Sequence, residues 1–114
     1  MMTLIILLTA GKINYTWSIS CNTNSMYPAI NCTSGKPVRV IVNTVSPNET
    51  LTPRAIYWYR PDYRLFSIPS MWYVAHRYIG EYGGLYYFNG DNNPTVDPGV
   101  ERKYIHLKVI KILI

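Results

Sequence analysis

Short runs of β-branched and aromatic residues, separated by clusters of turn-forming residues, constrain the fold of this chain more than any other feature. The runs occupy residues 16–21, 38–45, 55–60, 71–79, 85–88 and 104–114. These residue types favour strands, and no stretch keeps the 3.6-residue period of an amphipathic helix with capping residues at its ends. The sequence therefore predicts a mainly β fold, a small coiled antiparallel sheet or partial barrel with few helices.

An apolar run at residues 1–10 precedes the first of these strands. A helix that spans a bilayer needs about 20 apolar residues, so this run is too short to cross alone. It also lacks the basic n-region and small-residue cleavage site of a secretory signal peptide. A buried strand, an interfacial anchor and the outer end of a spanning helix are all compatible with it. We expect residues 1–12 to form a short or truncated membrane anchor and residues 13–114 to form one β domain.

The formal net charge of +5 is spread along the chain without a run of Lys or Arg. Scattered positive charge suits the anionic surface of a membrane, whereas nucleic-acid-binding chains usually carry a basic run. The sequence therefore favours a membrane surface over nucleic acid as a partner. The two cysteines, Cys21 and Cys32, are compatible with a disulfide in an oxidising compartment, and their spacing matches no zinc pattern. No metal or other cofactor is expected.

Four side chains suited to acyl-transfer chemistry are spread along the chain. Ser25 follows a predicted strand, in a loop that would expose its hydroxyl beside a neighbouring base. His76 is a candidate for that base, because a histidine side chain takes up a proton near neutral pH. Asp91 and Asp97 lie in the turn-rich segment 90–99, and either one can orient such a histidine. The alternatives are a plain loop serine, a structural histidine and two aspartates that form Asx turns.

Three boxes around these residues resemble those of one known family. Ser25-Met26-Tyr27-Pro28 resembles a Ser-Met-x-Pro box that carries a nucleophile, and residues 74–80 (VAHRYIG) resemble a general-base box. Residues 90–93 (GDNN), followed by Asp97, resemble a Gly-Asp-Asn-Asn…Asp box. Together the boxes are similar to the signal peptidase I superfamily, in the branch of the endoplasmic reticulum and archaea that uses His rather than Lys. The resemblance covers roughly residues 18–110.

The resemblance implies a role for each residue that matches the family. Ser25 would be the nucleophile of a serine endopeptidase and His76 its general base. Asp97 would be the acid that supports the histidine, with Asp91 either sharing that role or holding the loop. The backbone amide of Ser25, helped by the hydroxyl of Thr23, would stabilise the oxyanion.

The resemblance also implies a substrate, a location and partners. An extended precursor polypeptide would dock beside the strand at residues 17–21, with Ser20, Cys21 and Met26 on the substrate side. The reaction would remove signal peptides, or similar membrane-proximal segments, from secreted precursors on the extracytoplasmic side of a membrane. Accessory membrane subunits are possible partners, and no cofactor is required.

Three departures from the family leave a second function open, and one of them is the apolar run at residues 1–10, which is too short for the usual membrane anchor. Pro53-Arg54 stands where family members usually have Gly-Asp, and Asn24 stands where Gly is common before the nucleophile. The alternative is a catalytically inactive β module that keeps the same fold and binds extended peptides or a membrane partner.

Overall fold

The computed structural model describes residues 8–9, 12–20, 37–61 and 73–113, and within these ranges the chain is mainly β. The elements are β1 (Leu8–Thr9), β2 (Lys12–Ser20), β3 (Pro37–Thr44), β4 (Ile56–Tyr59), β5 (Val74–Tyr82), β6 (Leu85–Asn89) and β7 (Ile105–Leu113), with a 3₁₀ turn at Arg102–Tyr104. The expectation of a small, mainly β antiparallel sheet is confirmed.

All strands of the described residues join one antiparallel sheet in the order β1-β2-β3-β7-β4-β5-β6. The last strand therefore lies in the middle of the sheet, between β3 and β4. The sheet is not closed, and the two-residue β1 extends it beyond β2. The expected boundary between an anchor and the β domain, after residue 12, falls within the β1–β2 pair. Residues 1–7 of that expected anchor lie outside the described residues.

Alternation along the strands gives the sheet two apolar faces. In β4, Tyr57 and Tyr59 point to one face and Ile56 and Trp58 to the other. The buried residues of the first face are Leu51, Tyr57, Tyr59, Tyr78, Phe88, Val100 and Ile105, and those of the second are Ile19, Val40, Val42 and Ile56. Burying one large apolar side chain contributes about 1.5–3 kcal/mol. The aromatic residues noted in the sequence therefore form much of the core.

A contact between two tryptophans shows how strongly the sheet curves. Trp17 of β2 and Trp58 of β4 are separated by β3 and β7, or about 14 Å across a flat sheet. Their rings nevertheless meet edge to face, with centroids 5.4 Å apart. Because side chains stand roughly perpendicular to a sheet, the contact needs the sheet to bend towards this face.

A two-residue turn joins β5 to β6 and fixes their register. Gly83 and Gly84 have φ angles of +59° and +82°, the left-handed conformation that a tight hairpin turn requires at both central positions. The runs at residues 71–79 and 85–88 leave residues 80–84 for the turn, but β5 continues to Tyr82 because the two glycines complete the turn alone. The turn pairs Tyr82 with Leu85 and Gly80 with Tyr87, and a register shift between Tyr78 and Gly80 then sets Tyr78 opposite Phe88.

Candidate active site

His76 lies near the start of β5, on the aromatic face of the sheet. Its backbone is directly opposite Tyr57 of β4, so the two side chains share a face. Only 7% of the His76 surface is exposed. The ring of Tyr59 approaches the imidazole edge to face, with centroids 6.5 Å apart. The strand and the aromatic packing around it therefore hold the imidazole in one place.

The loop after β6 brings Asp97 back to the same face. The backbone N–H of Asp97 donates to the carbonyl of Phe88 at 2.9 Å. Inside the loop, the Asn89 side-chain amide donates to the carbonyls of Asn93 at 3.1 Å and Thr95 at 2.8 Å. These bonds satisfy backbone groups that the loop would otherwise leave without partners. They fold the turn-rich segment back on itself and leave Asp97 only 5% exposed.

Asp97 and His76 meet through a buried hydrogen bond between Oδ2 of the carboxylate and Nδ1 of the imidazole. Because a carboxylate accepts hydrogen bonds, it favours the tautomer of neutral His76 that carries its proton on Nδ1. The basic lone pair is then on Nε2. A carboxylate in this position also stabilises the imidazolium that forms when Nε2 takes a proton. The pair therefore has the orientation that a general base needs.

Asp91 has a different partner. Its Oδ1 accepts a hydrogen bond from Arg77 Nε at 2.6 Å, and Arg77 Nη1 donates to the carbonyl of Arg54 at 2.5 Å. Arg77 therefore ties the loop of Asp91 to the turn before β4. Of the two aspartates left open by the sequence, the structure places Asp97 against His76 and Asp91 against Arg77.

Tyr59 joins the site, although no motif in the sequence points to it. Its hydroxyl donates to Oδ2 of Asp97, the oxygen that also binds His76, at a distance of 2.5 Å. Burial raises the pKa of Tyr59 well above its ordinary value, and the Asp97 charge and hydrogen bond raise it further. The hydroxyl therefore stays protonated and remains a donor at neutral pH. Alternation predicts that Tyr59 faces inward, but nothing in the sequence links it to a residue 38 positions later.

The turn that contains Pro53 and Arg54 has an unusual backbone conformation. The N–H of Ala55 donates to the carbonyl of Thr52 at 3.2 Å, which makes residues 52–55 a β-turn. Arg54, its third residue, has a φ angle of +69°. Glycine adopts this angle without strain, whereas an arginine does so at a cost. The turn is thus of the kind that usually has glycine at this position, with arginine in its place.

Several predicted site residues lie outside the part of the chain that the structure describes. They are Ser25, Thr23, Met26 and Cys21. Ser20 is described by its backbone alone, at the end of β2 and opposite Pro37. The described residues therefore include the histidine and the two aspartates of the predicted site, whereas its predicted nucleophile lies outside them.

The described residues contain no group of three or more His, Cys, Asp or Glu side chains that could hold a metal ion. Within the same residues, no helix has the length and apolar character that crossing a bilayer requires. No protein-family model, no curated protein and no solved structure matches the chain.

Proposed function

We propose that this protein is a serine endopeptidase in which Ser25 is the nucleophile, His76 the general base and Asp97 the acid that orients the base. Its substrates are signal peptides or similar membrane-proximal segments of secreted precursors. The observation that carries the proposal is the buried hydrogen bond from His76 Nδ1 to the Asp97 carboxylate.

Burial of this pair favours a chemical role over a purely structural one. His76 and Asp97 are 7% and 5% exposed, within a face otherwise formed by aromatic and aliphatic side chains. Removing a carboxylate from water costs several kcal/mol, and apolar residues of similar volume often stabilise a core at least as well. A functional need for an oriented base gives a reason to retain the pair.

The proposed reaction has two steps, acylation of Ser25 and hydrolysis of the acyl-enzyme. In the first, His76 Nε2 takes the Ser25 proton as Oγ attacks the scissile carbonyl, and the oxygen of that carbonyl gains the displaced electron pair. Collapse of this intermediate breaks the C–N bond, and His76 gives its proton to the leaving amine. In the second step, His76 Nε2 takes a proton from water as the water oxygen attacks the acyl carbonyl. Collapse of this second intermediate breaks the ester bond to Ser25 Oγ, releases the new C-terminal carboxyl group, and returns the proton from His76 to Oγ.

The substrate class is supported by the sequence rather than by the described geometry. The boxes at residues 25–28, 74–80 and 90–97 occur in the order found in the signal peptidase I superfamily. The net charge of +5 suits a catalytic domain that works at an anionic membrane surface. We place that domain on the extracytoplasmic side of the membrane.

The test is cleavage of a membrane-tethered precursor with an Ala-x-Ala site in detergent micelles, with product masses determined by mass spectrometry. The parent protein should cut after the final Ala, and Ser25→Ala should lose activity by several orders of magnitude. Equal cutting by Ser25→Ala would contradict the mechanism. No cutting by a folded parent, with peptide binding unchanged in Ser25→Ala, would instead favour the inactive binding module.

A further inference from the structure

Tyr59 and His76 bind the same oxygen of Asp97, and this shared acceptor suggests a task for the tyrosine. The Tyr59 hydroxyl donates to Asp97 Oδ2 at 2.5 Å, and His76 Nδ1 binds that oxygen as well. A single hydrogen bond leaves a carboxylate free to rotate about its bond to Cβ. A second donor, approaching from another strand, restricts that rotation and lowers the cost of burying the negative charge.

The Tyr59 ring is held firmly enough to act as a fixed support. Its side chain has no exposed surface, and it stacks on Phe88 with ring centroids 4.2 Å apart and planes 18° apart. Phe88 also accepts the backbone hydrogen bond of Asp97, so the tyrosine and the acid are fixed to the same residue. A short β4 strand between β7 and β5 anchors the tyrosine backbone on both sides.

We infer that Tyr59 is a positioning residue: by donating to Asp97 Oδ2, it sets the orientation and the charge that the carboxylate presents to His76. This inference rests on the proposed function for its effect on catalysis, whereas its effect on His76 is independent of it. Without the hydroxyl, His76 is the remaining side-chain donor to the Asp97 carboxylate among the described residues. The carboxylate then stabilises the imidazolium more strongly. A smaller fraction of His76 is therefore neutral and able to accept a proton at neutral pH.

The ionisable groups around His76 define what a titration would report. On its face of the sheet, the described groups are Tyr57 and Tyr59 of β4, Tyr78 of its own strand and Asp97 of the loop. Lys108 of β7 lies in the same cross-strand row, opposite Tyr57, and its ammonium group binds the Thr52 hydroxyl at 2.8 Å. Tyr59→Phe removes one of these groups and leaves the others in place.

The chain offers a closely matched control for this test. Tyr57 is on the same strand and face as Tyr59 and is also fully buried. Its hydroxyl accepts a hydrogen bond from the Thr52 N–H at 2.7 Å. Tyr59→Phe and Tyr57→Phe therefore each remove one buried hydroxyl and keep the ring, but only the first removes a donor to Asp97.

The experiment is an NMR titration of His76 in the parent, Tyr59→Phe and Tyr57→Phe proteins, combined with kcat and KM for precursor cleavage. Tyr59→Phe should raise the pKa of His76 and lower kcat at neutral pH by up to roughly 10-fold, with little change in KM. Tyr57→Phe should leave the pKa of His76 unchanged.

An unchanged or lowered His76 pKa in Tyr59→Phe, or an equal rise in both variants, would overturn the inference. If the parent cleaves no precursor, the proposed function fails, while the titration still decides whether Tyr59 acts on His76 through Asp97.

Discussion

At the scale of single residues, the main distinction is between two aspartates in one loop. Asp97 is buried and binds His76, whereas Asp91 is partly exposed and binds Arg77. The sequence named both but could not separate them, because the outcome depends on how Asn89 folds the intervening residues. The sequence shows which residues the loop contains, but not which hydrogen bonds they form or how these fold the backbone.

Because the two aspartates have different partners, the isosteric substitutions Asp97→Asn and Asp91→Asn should have different effects. Asp97→Asn removes the negative charge that stabilises protonated His76, so kcat should fall roughly 100-fold or more. Asp91→Asn weakens a partly exposed ion pair with Arg77, so it should cost about 1 kcal/mol of stability or less and leave kcat within a few-fold of the parent.

Precursor cleavage and urea unfolding of both variants measure these effects. A larger loss of kcat in Asp91→Asn than in Asp97→Asn would show that the acid assignment is wrong.

At the scale of elements, the turn before β4 contains a residue, Arg54, whose backbone conformation costs free energy. Arg54 has a φ angle of +69°, where a side chain costs about 1–2 kcal/mol. Its carbonyl accepts the hydrogen bond of Arg77, so the turn also supports the strand that carries His76. Because that bond is made by the backbone, it does not depend on the identity of the side chain at position 54.

Arg54→Gly should therefore stabilise the protein by up to about 1 kcal/mol, since relief of the strained angle exceeds the extra flexibility of glycine in the unfolded chain. Arg54→Ala is the matched control, because it removes the same side chain but keeps the strain. Its stability should stay within about 0.5 kcal/mol of the parent. Urea unfolding of the three proteins measures the difference, and equal stabilities for the two variants would show that the angle carries no cost.

At the scale of the whole molecule, the strands were predictable and their arrangement was not. The aromatic and β-branched runs predicted β3, β4, β6 and β7 closely, because alternation and turn residues act over a few positions. The insertion of β7 between β3 and β4 depends on pairing between residues far apart in the chain. The curvature that joins Trp17 to Trp58 is likewise a property of the assembled sheet.

The same separation of scales applies to the site. The sequence identified His76 and both aspartates through their boxes, but Tyr59 became visible only when β4 and the Asp97 loop were brought together. The hydroxyl of Tyr59 and the carboxylate of Asp97 come from segments with no shared pattern. Such a contact can be found from the packed structure alone.

The central claim is that His76 acts as the general base, and the chain contains a second histidine as an internal control. The most direct measurement compares kcat/KM for precursor cleavage by His76→Gln and His106→Ala. Glutamine keeps much of the volume of His76 and can still donate to Asp97, while His106 is exposed on β7. If His76 is the general base, His76→Gln should lose at least roughly 1,000-fold in kcat/KM and His106→Ala less than about twofold. Similar activity in both variants would contradict this role.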